Sequence, residues 1–146
     1  MIIKQISVFV ENRPGTLAEV LSVLSEHDIN LRALSVADTA DFGILRMIVN
    51  EPEKVEQVLK EANLTVKMTP VITMTIGDSP GGLLAQVQKL SEASINVEYV
   101  YAFGATKGAE ARVVIKVDDP SRALRLLRGE EKTGSEDTGE GPQFYW

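Results

Sequence analysis

Hydrophobic and polar positions along the chain follow two alternating rhythms. IIKQISVFV, residues 2–10, is rich in β-branched and apolar residues and predicts a strand. From about 14 to 26, Leu17, Leu21 and Leu24 recur at the spacing of one helical face. INLRALSV and GILRMIVN return to a strand pattern on either side of the turn Ala40-Asp41, an arrangement that suits a hairpin. Asn50-Glu51-Pro52 then opens a second helix that points Val55, Val58, Leu59 and Ala62 inward, and LTVKM reads as a closing strand.

The same series then begins again. Pro14-Gly15 reappears as Pro80-Gly81, an offset of 66. At that offset Leu17, Leu21 and Leu24 fall on Leu83, Val87 and Leu90, and Ile29-Asn30-Leu31 falls on Ile95-Asn96-Val97. Arg46 falls on Arg112; further on, Pro52 falls on Pro120 at an offset of 68. The pattern is an internal duplication. The second copy reads VITMTI, a helix over 80–93, INVEYVYAF, ARVVIKV, and a helix over 120–128. In INVEYVYAF, Ile95, Val97, Tyr99, Tyr101 and Phe103 alternate, so one face of that strand is expected to be buried. The order in each copy is β-α-β-β-α-β, the split βαβ or ferredoxin-like plan. The fold class is therefore α+β: two units, each an antiparallel sheet with helices on one face. The expected boundaries are 1–69 for the first unit, 70–128 for the second, and 129–146 for a tail. No closing strand is evident after Arg128. The run GEEKTGSEDTGEG is polar and Gly-rich, a composition that stays flexible, and it ends in the cluster Phe144-Tyr145-Trp146.

Charge changes this picture little. The net charge is −6. The tail carries five carboxylates against Lys132, a net of −4, so the rest is close to neutral. No clustered basic surface argues for nucleic acid. There are no cysteines, which excludes disulfides and thiolate zinc sites. No apolar run approaches the roughly 20 residues of a membrane span, and the N-terminus lacks a leader pattern, so a cytoplasmic location is expected. His27, the single histidine, sits in the last turn of the first helix, where a cation complements the dipole. No nucleophile–base pair, metal cluster or cofactor loop is visible; a non-enzymatic protein without a cofactor is expected.

The candidate chemistry lies at the duplicated turn. VENRPGTLAEV and IGDSPGGLLAQV each run from a strand through Pro-Gly into a helix. Such a turn exposes unpaired backbone N–H groups at the positive end of a helix dipole, a seat for a carboxylate. Gly15 and Gly81 let a ligand approach the backbone. Asn12 and Asn30 each present a donor and an acceptor, and Asp78 can accept from an ammonium. The pairs Asn12–Asn30 and Asp78–Asn96 are both 18 residues apart. If the loop before the first helix lies near the start of the second strand, each pair forms one site. The alternative is structural: Asn12 or Asp78 caps its helix, and Asn30 or Asn96 satisfies a tight helix-to-strand joint.

Two such units, each with an N/D-x-P-G-x-L turn and an Ile-Asn strand start, resemble a pair of ACT domains over roughly residues 2–128. ENRPGTLAEV with DINL is the closer match, and GDSPGGLLAQV with SINV the looser. The resemblance implies a regulatory module that binds a small amino acid at an interface between paired units. It implies contacts from Asn12, Pro14, Gly15, Thr16, Leu17 and Asn30, and in the second copy from Asp78, Gly81, Gly82, Leu83 and Asn96. It also implies a homodimer and a regulated enzyme as partner. The serine-sensing members carry a His two residues before the loop Asn, where this chain has Val10 and Ile76, so serine is not assigned. A ligand-independent oligomerisation or interaction module is the alternative function.

Overall fold

The computed structural model describes residues 1–38, 41–103, 108 and 110–130. The turn residue Ala40 and the tail aromatics Phe144, Tyr145 and Trp146 lie outside the described residues. The elements are β1 (Ile2–Glu11), α1 (Thr16–Glu26), β2 (Ala33–Asp38), β3 (Phe42–Ile48), α2 (Pro52–Glu61), β4 (Thr65–Gly77), α3 (Gly82–Glu92), β5 (Val97–Ala102), β6 (Glu110–Val117) and α4 (Pro120–Leu127). The fold is α+β and antiparallel, as the two rhythms predict.

Two compact units emerge. The first comprises Lys4–Pro70 and Phe103; the second comprises Met1–Ile3, Val71–Ala102 and the described residues after Phe103. In the first, β3 pairs antiparallel with both β1 and β2, with Phe9 opposite Ile44 and Val36 opposite Leu45. The strand order is β2-β3-β1, followed by the Thr65–Pro70 stretch of β4. Alternate residues Ile6, Val8 and Val10 of β1 and Leu45 and Met47 of β3 turn to one face. There they meet Val20 and Leu24 of α1 and Val55 and Leu59 of α2, all buried. Val58 and Ala62 are only half-buried. The α1 face also differs from expectation. Leu24 is buried, but Leu17 and Leu21 are 39% and 37% exposed. The buried stripe runs through Val20 and Leu24, an i, i+4 pair, and leaves Leu17 and Leu21 beside it.

In the second unit the order is β5-β6-β4. Ile72, Val113, Ile115 and Val117 pack with Leu90, Ala93, Ala123 and Leu126 of its helices. Ile95 and Val97 join this core, while Tyr99 and Tyr101 are half-buried, as is Phe103, which belongs to the first unit. The two tyrosines stack, with ring centroids 6.4 Å apart. The edge beside β4 in this unit is filled from the start of the chain. Met1 and Thr73 exchange backbone hydrogen bonds, Thr73 N–H to Met1 O at 2.9 Å and the Met1 amine to Thr73 O at 3.2 Å. Met1–Ile3 thus take the edge beside β4 that a closing strand of the second copy would occupy.

LTVKM and VITMTI are not two strands. They form one, β4, of 13 residues. Pro70 sits inside it; proline fixes φ near an extended value and removes only one donor, so the strand continues. Helices α2 and α4 both begin with proline at the first turn. For α4 the Asp119 carboxylate accepts the Arg122 N–H at 3.1 Å. Replacing Asp119 by Ala removes that cap; a loss of about 1 kcal/mol is expected in urea unfolding.

Candidate functional site

Both Pro-Gly motifs fold as the same turn. In the first, the Thr16 N–H donates to Arg13 O at 3.5 Å, and Gly15 has φ 91° and ψ −16°. In the second, the Gly82 N–H donates to Ser79 O at 3.1 Å, and Gly81 has φ 84° and ψ −2°. Proline at the second position and glycine at positive φ in the third define a type II β-turn. The helices therefore start at Thr16 and Gly82, two residues later than expected, and Pro14 and Pro80 belong to the turns. Gly15 and Gly81 are the N-caps, and among the described residues neither helix receives a side-chain cap. Capping therefore does not explain Asn12 or Asp78. Asn12 is exposed, and its backbone N–H donates to Asp41 O at 2.9 Å. The Thr16 hydroxyl donates to Glu11 O at 2.6 Å and bonds Arg13 O at 3.1 Å, which ties the loop to the end of β1. Arg13 pairs with Glu11 at 2.6 Å, and that carboxylate raises the guanidinium's pKa further above its ordinary value.

The structure does not bring Asn12 and Asn30 together within a unit. Asn12 lies at the Phe42 end of β3, through its bond to Asp41. Asn30 lies at the other end, two residues before Arg32, whose N–H donates to Ile48 O. The seven residues of β3 separate the two by about 20 Å at 3.3 Å per residue. Helix α1 runs between them and covers much the same distance. Asp78 and Asn96 are parted likewise. Gly77 pairs with Glu110 at one end of β6, and Asn96 bonds Asp118 beyond the other. Nor do Asn30 and Asn96 open their strands: β2 begins at Ala33 and β5 at Val97.

Asn30 does line a cavity. It has a volume of about 470 Å³ and is walled by Leu21, Leu24, Ser25, Asp28, Ile29, Asn30 and Leu31. The helix ending creates it. The Ile29 N–H donates to Leu24 O and the Asp28 N–H to Ser25 O, the two bonds of a Schellman motif. Asp28 holds the left-handed position at φ 54°, where glycine is usual. The second copy ends its helix alike, with Ser94 at φ 56°. There Ile95 and Val97 are buried, and the Asn96 backbone N–H donates to Asp118 Oδ1 at 3.2 Å. The Asn96 Oδ1 is buried and, among the described residues, has no hydrogen-bond partner. The cavity's chemistry is thus a carboxylate, a hydroxyl and an amide against an aliphatic wall, in the size range of small-molecule sites, roughly 300–1,000 Å³.

A sequence profile of the family described as an ACT domain pair matches residues 1–132. The chain belongs to that ACT domain pair family. The chain is similar to the acetolactate synthase small subunit of Mycobacterium avium, 27% identical over 84% of this chain and 79% of that one. Among solved structures it is similar to a protein from Bacteroides thetaiotaomicron, 37% identical with a TM-score of 0.83, covering 89% of each chain. It shares its fold with the regulatory subunit of aspartate kinase from Thermus thermophilus, 16% identical at a TM-score of 0.61, covering 88% of this chain and 94% of that one.

Within the ACT pair, Ser25 and Asp28 are the cavity residues that sequence reasoning passed over. The available signal was EHDIN, a helix stop with an acidic residue where glycine is expected. His27 forms the C-cap of α1, its Nδ1 2.9 Å from Val23 O. Among the described residues no group of three or more His, Asp or Glu is placed to hold a metal, and no helix is long and apolar enough to cross a membrane. A Cβ at Gly15 would meet nothing within 4 Å, so only its positive φ resists substitution. Gly15→Ala is expected to cost about 1 kcal/mol in urea unfolding, from backbone strain alone.

Proposed function

We propose that this ACT pair is a non-enzymatic regulatory module of the cytoplasm that binds a small amino acid at an interface between ACT units and thereby biases a partner enzyme. The observation that carries the reading is the cavity at Asn30. Asp28 gives the ammonium an acceptor, Asn30 gives a donor and an acceptor, and Leu21, Leu24, Ile29 and Leu31 receive the side chain. The carboxylate then meets the turn Asn12-Arg13-Pro14-Gly15, with Thr16 and Leu17, where α1 presents its free N–H groups. Because Asn12 and Asn30 of one unit lie about 20 Å apart, one ligand reaches both only if the loop comes from a second chain. A homodimer accords with this. Leu17 and Leu21 of α1 and Leu34 and Val36 of β2 are apolar and 37–50% exposed. Asp78, Gly81, Gly82, Leu83 and Asn96 form the corresponding parts in the second copy. Similarity to acetolactate synthase small subunits supports an enzyme as the partner.

Ligand binding shifts only an equilibrium whose states it binds differently. The test is a thermal-melt series against the common amino acids at increasing concentration, with sedimentation to read the subunit number. One amino acid raising Tm with concentration supports the sensor. No shift with any of them at millimolar levels refutes it and leaves the ligand-independent interaction module.

A further inference from the structure

The face of the first unit's sheet that turns away from α1 and α2 carries a second cavity. This apolar cleft has a volume of about 410 Å³ and is lined by Phe9, Ala37, Asp38, Phe42 and Ile44. The register makes it: Phe9 and Ala37 both lie opposite Ile44, and Phe42 lies two residues before Ile44 on the same face of β3. Phe9 is 46% and Phe42 55% exposed. The hydrophobic core does not include them, being built from the alternate residues Val8, Val10 and Leu45.

The duplication provides an internal control. Phe9 falls on Thr75, and the strand register puts Arg112, opposite Thr75, in the place of Ile44 and Glu110, opposite Gly77, in the place of Phe42. β4 and β6 pair normally with Thr75, Glu110 and Arg112 in those places. The fold therefore does not require apolar side chains here. A contiguous apolar patch that one copy exposes and the other lacks marks an interaction site. Its rim carries charge. Asp38 lines the cleft, and Asp41 precedes Phe42; both residues are exposed and, among the described residues, neither carboxylate has an ion-pair partner. Glu11, opposite Phe42, is balanced by Arg13.

We propose that this cleft docks a segment of a partner protein in which a bulky apolar side chain is flanked by Lys or Arg. The apolar group leaves water between Phe9, Phe42 and Ile44. The cations meet Asp38 and Asp41 and the faces of the two phenyl rings. Two carboxylates at an exposed rim make the contact salt-sensitive, and the small area makes it transient. The inference stands apart from the cavity at Asn30, which lies at the opposite end of β3; the Asn12 loop adjoins the cleft's rim through its bond to Asp41 O.

The probe is a dansyl-labelled, amidated peptide Lys-Leu-Phe-Leu-Lys, read by fluorescence anisotropy, with Glu-Leu-Phe-Leu-Glu as its acidic counterpart. Phe9→Thr with Ile44→Arg installs the second copy's residues, which this fold accepts; Asp38→Asn with Asp41→Asn removes the charge and leaves the floor. Saturable binding of the basic peptide is expected, weakened about tenfold by either double variant and by added salt. Thermal melts confirm that the variants fold, and the charge variant alone decides if the apolar one does not. Absence of saturable binding at millimolar peptide, equal binding by the variants, or equal binding of the acidic peptide overturns the proposal. So does sedimentation showing that Phe9→Thr with Ile44→Arg splits an oligomer, since the occupant is then a second copy of this chain.

Discussion

Replacing Gly82 by alanine is expected to destabilise the protein by about 2 kcal/mol, a fall in Tm of roughly 6 °C for a chain of this size. Alanine is ordinarily the better helix former, so propensity alone predicts a gain at this first position of α3. Contact geometry decides otherwise. A Cβ on Gly82 would stand 2.2 Å from the Gly77 carbonyl oxygen and 3.3 Å from its carbon. Both belong to backbone that β4 holds in its pairing with Glu110, so neither yields as a flexible side chain would. The first copy shows what a side chain at this position requires. There Thr16 sits at the matching place and its hydroxyl bonds Glu11 O, the counterpart of Gly77 O, at 2.6 Å. Thr16→Ala loses the exposed hydroxyl's bonds to Glu11 O and Arg13 O and is expected to cost only about 0.5–1 kcal/mol. The two substitutions differ in sign of size change and in mechanism, and urea unfolding of both separates them. If Gly82→Ala melts with the wild type, the second turn relaxes at no cost and the close approach at Gly77 does not constrain it.

The contrast between these turns shows how far sequence carries. Pro14-Gly15 and Pro80-Gly81 were legible because proline and glycine in a type II turn answer to local sterics, and their repetition at a fixed offset exposed the duplication. The α+β order followed from hydrophobic period, which is also local. What depended on distant partners was not legible. LTVKMTPVITMTI reads as two strands because Pro70 looks like a breaker, yet β4 passes through it. The edge of the second unit is filled by Met1–Ile3, a pairing across 72 residues that no window of sequence displays. The site shows the same limit. Equal spacings of 18 residues between Asn12 and Asn30 and between Asp78 and Asn96 carried no direction. A helix of 11 residues lies within each interval, and its rise of about 16 Å carries the two residues to opposite ends of the unit. Asp28 was passed over because its significance is a backbone angle.

Asp28→Gly is expected to separate stability from ligand response. At φ 54°, Asp28 occupies a conformation that glycine adopts without steric cost. In the absence of ligand the variant should match or exceed the wild type by up to about 1 kcal/mol. The left-handed carboxylate is therefore not kept for the helix ending, which glycine serves as well. If it instead receives an ammonium, removal must abolish the response to the amino acid. An amino acid at 100 times its Kd stabilises the folded wild type by about 2.7 kcal/mol, worth roughly 8 °C in Tm. Asn30→Ala, on an exposed residue, should leave the unliganded Tm within about 2 °C and lose most of that shift. Asn12→Ala should lose it too if the loop of a second chain completes the site; a full response in that variant confines the ligand to the cavity of one chain. Loss of the response in Asp78→Ala alone would place the site in the second copy. A full response in both Asp28→Gly and Asn30→Ala would remove the cavity from consideration, since among the described residues no other polar side chain but Ser25 lines it.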